Sequence, residues 1–197
     1  GRRFLDVGFG EGFQLQAAQD AGFDIFGVDF SEHGIDSFHP KLKDNIQVGD
    51  AYQILDEMIA RGEKFDVCVL QNVLEHVIDP DAMLGNLRQL LGPDSILLIQ
   101  VPNDYSPLQM KALEKGHLED EFWFLQPDHL SYFNVENAVH MAEKHGYDVI
   151  DLFGDFPIDF FLYHPGSNYI RDKSAGPGAH RARIELDLLL ARNGLDS

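Results

Sequence analysis

A glycine-rich segment and the carboxylates around it carry the clearest chemical signal in the chain. Gly8, Gly10 and Gly12 alternate with other residues directly after a short apolar run. Glycines at such a point let the backbone turn sharply and let a ligand approach the main chain. Asp29 ends the next apolar run, about 20 residues further on, where a carboxylate can accept hydrogen bonds from ribose hydroxyls. The spacing predicts a ribose-bearing ligand; a tight turn with an incidental capping acid is the alternative.

The spacing inside this segment separates a phosphate ligand from a cationic one. Dinucleotide sites usually read Gly-x-Gly-x-x-Gly, whereas here the third glycine, Gly12, comes one residue early and Phe13 takes the sixth position. Asp6 precedes the loop. A carboxylate repels a pyrophosphate and attracts an ammonium group. The segment therefore favours a ligand with a cationic amino-acid end.

Apolar strands that alternate with helical segments must position these residues. The alternation predicts a doubly wound, mostly parallel α/β sheet with helices on both faces, as in Rossmann-like folds. We expect six strands, at residues 4–7, 25–29, 45–48, 65–70, 95–101 and 148–153. Asp79-Pro80 and Asn134 are predicted helix starts, since each offers a capping side chain.

The motifs together resemble the class I S-adenosylmethionine-dependent methyltransferases over about residues 3 to 153. The resemblance rests on the glycine loop from Asp6 to Gly12, on Asp29, on Gly49-Asp50-Ala51 and on Leu74-Glu75-His76-Val77-x-Asp79-Pro80. It implies that S-adenosylmethionine is the cofactor and that S-adenosylhomocysteine is the product. The implied cofactor-binding residues are Asp6, Gly8, Gly10, Gly12, Asp29, Phe30, Asp50, Ala51 and Gln71.

The same resemblance implies a role for most of these positions. The glycine loop would contact the methionine portion, Asp29 the ribose hydroxyls, and Gln71 the amino-acid end. Asp50 would bind the adenine amino group beside the backbone of Ala51, and Phe30 belongs to the same site. The alternative role of Asp50 is to cap the helix that follows it, and both roles can hold at once.

We expect one methyltransferase domain over residues 1–197, with both ends of the sequence looking cut. Two stretches, 102–133 and 154–193, break the alternation and are predicted insertions that form a lid or substrate wall. The family's sheet has a seventh, antiparallel strand that pairs with the sixth. Phe160 to Tyr163 is one candidate for it, and the other is a segment beyond Ser197.

Two histidines are candidates for taking a proton from a methyl acceptor. His76 follows the fourth strand and His129 precedes the helix that leads to the sixth, and histidine titrates near neutral pH. Each also has a structural reading, as a contact that holds its own loop. The aromatic residues Tyr105, Trp123 and Tyr132 are the predicted substrate pocket, with core packing as the alternative.

A metal is not expected. The Glu75-His76 pair is similar to one in quinone-pathway O-methyltransferases, where a nearby second glutamate helps to bind a divalent ion. Here Asn72 stands three residues before Glu75, and this departure argues against a metal.

The amino-acid composition disfavours some classes of binding partner. With 33 acidic and 15 basic residues the net charge is -18, which disfavours a nucleic-acid partner. The single cysteine, Cys68, excludes an internal disulfide and is predicted to be an inert core thiol. No apolar run is long enough to span a bilayer and no leader is recognisable, so we expect a cytoplasmic protein without a membrane partner.

These observations predict a methyltransferase that acts on a small molecule. The second insertion loosely resembles methyltransferases of sugar and surface-polysaccharide biosynthesis, and this resemblance makes an oxygen of a sugar-like or other metabolite the first choice of acceptor. One alternative is a module that binds S-adenosylmethionine without catalysis. Another is an oxidoreductase that uses a nicotinamide dinucleotide, which Asp6 and the early third glycine disfavour. The sequence does not indicate an oligomeric state.

Overall fold

The computed structural model describes residues 1–194 and contains a five-stranded parallel sheet. The strands are β1 (Arg3–Val7), β2 (Asp24–Asp29), β3 (Ile46–Val48), β4 (Phe65–Gln71) and β5 (Leu91–Gln100). They lie in the order β3-β2-β1-β4-β5, and every pair is parallel. The order reverses between β1 and β4, and ligands bind at the carboxyl ends of strands beside such a reversal. The predicted α/β class is confirmed.

Within residues 1–194, seven helices connect or follow these strands. They are α1 (Phe13–Asp20), α2 (His33–Phe38), α3 (Ala51–Ala60), α4 (Pro80–Leu90), α5 (Pro107–Glu114), α6 (Val135–Lys144) and α7 (Gly176–Arg192). Short 3-10 segments cover Pro40–Asn45, Ile158–Tyr163 and Lys173–Ala175.

The helices begin at residues whose side chains satisfy free backbone N–H groups. Asp79 accepts a hydrogen bond from Ala82 N at 2.9 Å, and Pro80 fills the first helical position. Asn134 and Asn137 form a reciprocal capping box at the start of α6. Both starts are as predicted, because short polar side chains before a helix replace the missing intrahelical partners.

Apolar side chains on the two faces of the sheet make two separate cores. On one face, Leu5 and Leu70 are fully buried with side chains of α3 and α4 such as Leu55 and Leu87. On the other face, Val69 packs in a cluster with Leu15 of α1. Successive side chains of a strand point to opposite faces, so neighbours in sequence serve different cores.

The lone thiol belongs to the first of these cores. Cys68 is fully buried, and burial raises the pKa of its thiol because the thiolate would lose its hydration. The structure therefore agrees with an inert core cysteine.

The predicted sixth strand is wrong. Residues 148–153 are not in a strand, and Ile150 and Phe153 are 80% and 82% exposed. Among the described residues no strand pairs with this segment, and without a partner its backbone groups cannot form a ladder. Ile158–Tyr163 is a 3-10 segment, so a seventh strand at Phe160 to Tyr163 is wrong as well. The alternative beyond Ser197 lies outside the described residues.

The chain divides into two compact units. The first comprises Gly1–Pro102 and Asp128–Asp148 and contains the whole sheet; the second comprises Asn103–Pro127 and the chain from Val149. The second unit has a small core of its own, formed by Ala112, Leu118, Trp123 and Leu162. The two predicted insertions thus contribute most of one unit. Their role as a lid or substrate wall of a single domain stays a prediction.

No helix within residues 1–194 combines the length and the apolarity that crossing a membrane requires.

The first core can be tested with a matched pair of leucines. We expect Leu87→Ala to lower the free energy of unfolding by about 2–5 kcal/mol, because it leaves a cavity at a fully buried position. Leu98→Ala, at a side chain that is 46% exposed, should cost less than about 1 kcal/mol. Urea denaturation followed by far-ultraviolet circular dichroism measures both. Equal losses would contradict the assignment of this core.

Candidate cofactor and acceptor site

The glycine loop lies between β1 and α1 with three residues in the left-handed region. Gly8, Gly10 and Gly12 have φ angles of 81°, 51° and 83°. Gly8 N donates to Val28 O at 2.7 Å, and Gly12 N donates to Phe9 O at 2.8 Å. The loop is thus held to the end of β2 and to itself. Residues other than glycine rarely adopt a positive φ, and this conformational requirement explains the three alternating glycines in the sequence.

Space as well as conformation requires two of the glycines. A Cβ atom on Gly8 would stand 2.2 Å from Val73 Cγ2, and one on Gly12 would stand 2.3 Å from Ile35 Cδ1. A Cβ atom on Gly10 would meet nothing within 4 Å. The loop is therefore packed at both ends. In its middle, the Gly10 carbonyl lies against Gly34 of α2, whereas the side on which a Gly10 Cβ atom would stand is open, and a ligand can approach the main chain there.

Asp29 holds the open middle of the loop in place. Its Oδ2 accepts from Gly10 N at 2.9 Å and its Oδ1 accepts from Ser31 N at 3.1 Å. The residue is 8% exposed, while the adjacent Phe30 is 87% exposed. The predicted pair thus reaches the same end of the sheet as the glycines. Contacts of Asp29 with a ribose and of Phe30 with the cofactor stay predictions.

Asp6 is a buried carboxyl group beside this loop. It is 1% exposed, and burial, with a smaller contribution from the charge of Asp29, raises its pKa to about 7. Its Oδ2 has no hydrogen-bond partner among residues 1–194. A buried carboxylate of this kind is stabilised by a cation at hydrogen-bond distance. The residues present therefore fit a ligand with an ammonium group.

The remaining predicted cofactor residues lie at the ends of β3 and β4. Asp50 caps α3, since its Oδ1 accepts from Tyr52 N at 2.9 Å and from Gln53 N at 3.3 Å. Ala51 is the first residue of α3. The capping reading of Asp50 is confirmed, and its Oδ2, which takes no part in the cap, is compatible with the predicted adenine contact.

Gln71 is the last residue of β4, and its side-chain amide is bonded on both sides. It accepts from Gln14 Nε2 at 2.9 Å and donates to Gln100 Oε1 at 2.9 Å. Its predicted contact with the amino-acid end of the cofactor is not tested by the structure.

A second group of polar side chains follows β4. The rings of His76 and His129 meet edge to face with centroids 4.9 Å apart. Glu75 is 1% exposed, and its backbone oxygen accepts from Leu130 N at 2.8 Å and from Ser131 N at 3.1 Å. The structure thus brings together the two predicted histidines, although they are far apart in sequence.

The charges of this group are only partly compensated inside the protein. Burial raises the pKa of Glu75, and the nearby His76 and His129 act in the opposite direction. Among residues 1–194, Glu75 Oε2 and His129 Nδ1 are buried without a hydrogen-bond partner. His76 Nδ1 lies 2.8 Å from Asp128 O. The loop-clamp reading of His76 is supported. The role of either histidine in proton transfer stays a prediction.

The same three side chains could chelate a metal. One ligand atom from each of Glu75, His76 and His129 lies within 4.8 Å of the other two. Such clusters also serve as proton-transfer groups without an ion. The expectation of no metal stays a prediction.

The predicted pocket aromatics lie in different units. Trp123 is 3% exposed in the core of the second unit, where its ring is 5.6 Å from that of Tyr105. Tyr105 has a φ of 55°, uncommon for a residue with a side chain. Tyr132 belongs to the first unit, with its ring centroid 6.1 Å from that of His129. Their role around a substrate stays a prediction.

Three residues of the site escaped the sequence reading. Val73 packs where a side chain on Gly8 would stand, and Gln14 and Gln100 bond to Gln71. Gln100 could have been noticed in the sequence, because it is a polar residue at the end of an apolar strand. Val73 and Gln14 carry no such signal, since their roles depend on neighbours that are distant in sequence.

The fold and the glycine loop with its two acids define a class I S-adenosylmethionine-dependent methyltransferase. A family model described as a methyltransferase domain matches residues 1–152, and the chain belongs to this family. The predicted cofactor, S-adenosylmethionine, and the enzyme class are thereby confirmed, and the nicotinamide alternative is set aside.

Curated relatives and a solved structure agree with this family. The chain is 27% identical over 163 residues to a ubiquinone biosynthesis O-methyltransferase of Actinobacillus pleuropneumoniae, covering 75% of this chain and 69% of that protein. It is 29% identical over 175 residues to one from Coxiella burnetii, covering 85% and 70%. An S-adenosylmethionine-dependent methyltransferase structure from Archaeoglobus fulgidus has a TM-score of 0.60 at 24% identity, covering 78% and 65%, and this likeness shows the fold. The chain spans about two thirds of the length of each of these proteins.

The packing of the loop predicts unequal effects of two glycine substitutions. Gly8→Ala should destabilise the protein by several kcal/mol, because a positive φ is combined with a 2.2 Å clash with Val73 Cγ2. Gly10→Ala, which meets nothing within 4 Å, should cost only about 1 kcal/mol from its backbone conformation. The double variant Gly8→Ala/Val73→Ala should recover part of the first loss. Urea midpoints measure all three, and a Gly8→Ala variant as stable as Gly10→Ala would disprove the packing argument.

Asp6 predicts a pH dependence of stability. Because its folded pKa lies at about 7 against an ordinary 3.8, the folded protein holds this proton more tightly than the unfolded chain does. This group therefore lowers stability progressively as the pH rises from about 4 to 7, by about 4 kcal/mol in all.

Asp6→Asn should remove that decline, so the stability of the variant relative to wild type should increase across the same interval. Urea unfolding at a series of pH values measures it, with the exposed carboxylate variant Asp94→Asn as the control. Parallel curves for wild type and Asp6→Asn would show that Asp6 is not the responsible group.

Proposed function

We propose that this chain transfers the methyl group of S-adenosylmethionine to a hydroxyl oxygen of a small molecule, with His129 as the proton acceptor. The observation that carries the proposal is the buried group after β4, where an unpaired nitrogen of His129 lies beside His76 and the buried Glu75. A hydroxyl is a poor nucleophile until a base takes its proton, whereas a thiolate or neutral amine needs no such group. A histidine held next to a buried carboxylate supplies this base.

The chemistry divides into alignment and proton transfer. Bound S-adenosylmethionine supplies a methyl carbon on a sulfonium, which is already an excellent leaving group. The glycine loop and the carboxylates of Asp6 and Asp29 bind and orient the cationic ligand. His129 takes the hydroxyl proton as the new oxygen–carbon bond forms and the carbon–sulfur bond breaks. Glu75 stabilises the resulting imidazolium, since it lies within 4.8 Å of the histidines.

The class of acceptor is the finer part of the proposal. The two relatives are named for O-methylation in ubiquinone biosynthesis, which supports an oxygen acceptor and favours a phenolic hydroxyl over the sugar-like one expected from the sequence. A free small-molecule acceptor is also in keeping with a net charge of -18. The cytoplasmic location expected from the sequence is retained as part of this proposal.

One experiment tests both parts. Calorimetry with S-adenosylmethionine and S-adenosylhomocysteine should show binding to wild type and to His129→Gln alike, because His129 contacts the acceptor side. Methyl transfer to catechol and to methyl glucoside, measured with labelled cofactor, should show turnover on a hydroxyl in wild type. His129→Gln should lower kcat by about 10²–10⁴-fold, and His76→Gln by less, since His76 is engaged with Asp128 O.

The outcomes separate the alternatives. Cofactor binding without transfer to any hydroxyl probe would favour a module that binds the cofactor without catalysis. Transfer that is unaffected in His129→Gln would remove this residue from the reaction. Turnover on methyl glucoside alone would restore the sugar-like acceptor. If a metal chelator abolishes the activity of wild type, a metal ion bound by Glu75, His76 and His129 would replace the proton acceptor in this proposal.

A further inference from the structure

Three glutamine side chains form a continuous chain of hydrogen bonds at one end of the sheet. Gln14 Nε2 donates to Gln71 Oε1 at 2.9 Å, and Gln71 Nε2 donates to Gln100 Oε1 at 2.9 Å. We call Gln14, Gln71 and Gln100 the amide relay. The two bonds run in the same direction, from α1 across β4 to β5.

The elements place the amide relay at the ligand-binding end of the first unit. Gln14 is the second residue of α1, two positions after Gly12 of the glycine loop. Gln71 and Gln100 are the last residues of their strands and are direct partners in the parallel register. The relay thus leads from the glycine loop, beside β1, outward across the carboxyl ends of two neighbouring strands, where parallel sheets bind ligands.

One side-chain contact and one backbone turn keep the relay at this end of the sheet. Val69, two residues before Gln71 and on the same face, packs in one cluster with Leu15 of α1, so the amide of Gln71 lies on the α1 side. Asn72 N donates to Gln100 O at 2.9 Å, and Asn72 then turns the chain with a φ of 52°. Gln71 and Gln100 are therefore half-buried at the last pleated position of each strand.

The hydrogen bonds of the relay determine together which end offers a donor group and which offers an acceptor group. A glutamine amide offers a donor group and an acceptor group on opposite sides. Because each bond pairs one of each, the atoms left over are Oε1 at Gln14 and Nε2 at Gln100. Rotating a single amide would break a bond, whereas rotating all three would exchange both ends. A ligand group that fixes one end therefore fixes what the other end presents.

We propose that the amide relay couples cofactor binding at the glycine loop to recognition of the methyl acceptor, with Gln100 as a specificity-determining residue. This inference rests on the proposed function and names its acceptor more closely. With the Gln14 carbonyl turned to the ammonium end of the cofactor, Gln100 presents N–H donors. Such donors bind a hydroxyl or carbonyl oxygen and disfavour an ammonium group, which offers donors only. The acceptor is thus a molecule with a second oxygen beside the hydroxyl that is methylated.

The test uses two substitutions of Gln100 that separate its two bonds. Gln100→Glu keeps an oxygen that accepts from Gln71 but loses the outward N–H. Gln100→Leu loses both. Calorimetry with S-adenosylhomocysteine should show affinity within about twofold of wild type for Gln100→Glu and a loss of roughly threefold to tenfold for Gln100→Leu. Gln14→Ala should show a similar loss, and the Gln14→Ala/Gln100→Leu double variant should be little worse than either single variant.

Kinetics with two matched acceptors test the specificity. Catechol has the second oxygen and phenol lacks it. Both Gln100 variants should raise the KM for catechol roughly tenfold with little change in kcat, and should leave the KM for phenol unchanged. Gln16→Leu, on α1 but bonded to Asp20, is the control and should change neither affinity nor KM.

The possible failures are distinguishable. Gln100→Leu with wild-type affinity for S-adenosylhomocysteine would overturn the coupling, and an unchanged preference for catechol over phenol would overturn the role of Gln100 in specificity. If wild type binds S-adenosylhomocysteine but methylates neither probe, the proposed acceptor class fails while the calorimetry still decides the coupling. If wild type binds no S-adenosylhomocysteine, the proposed function fails and the relay inference falls with it.

Discussion

The bridge that Asp29 makes between two loops is the interaction on which the site depends. Its two oxygens accept from Gly10 N and Ser31 N, so the ends of β1 and β2 are held together by one carboxylate. Gly8 N and Gly12 N have backbone partners, whereas Gly10 N is bonded to the Asp29 carboxylate. Without this bridge Gly10 N would have to bond to water, and the middle of the loop would not keep one shape. The shape of the loop and the charge at its edge thus come from the same side chain.

That bridge also sets the electrostatics. Asp29 adds negative charge near Asp6, which is buried, has an unpaired oxygen and a raised pKa. Among residues 1–194 neither Asp6 nor Asp29 forms an ion pair, and the charge of Asp29 adds to the cost of ionising Asp6. This is unfavourable for the empty site and favourable for a cationic ligand, because the ligand removes the repulsion and the cost of burial at once. The acidic composition of the chain acts in the same direction over a longer range.

Local sequence signals predicted most elements of the first unit correctly but were wrong for residues 148–153. Glycines at left-handed positions, the caps Asp79 and Asn134, and continuous apolar strands each have a local physical cause, so they could be read from single segments. The absence of a strand at 148–153 could not be predicted in this way, because an apolar pattern does not show whether a partner strand exists. The amide relay and the packing of Val73 under Gly8 join residues from different strands and loops. Only register and crossover geometry bring such residues together, and these are not encoded locally.

The candidate site shows the same division. The sequence placed the glycine loop and Asp29 correctly because they share one strand–loop–helix unit and its neighbour. It named both His76 and His129, yet their contact depends on backbone bonds from Leu130 and Ser131 to Glu75 O. For Trp123 the sequence offered both a pocket wall and a packed core, and burial in the second unit shows that the core packing is present. Aromatic residues serve either purpose, so their type alone does not discriminate.

The location of Trp123 has a spectroscopic consequence. It is the single tryptophan of the chain, and it lies in the core of the second unit with Ala112, Leu118 and Leu162. Its indole emission therefore reports the packing of that unit, whereas the peptide signal of circular dichroism averages over both units. A difference between the two signals during denaturation would resolve the unfolding of one unit from that of the other without any added label.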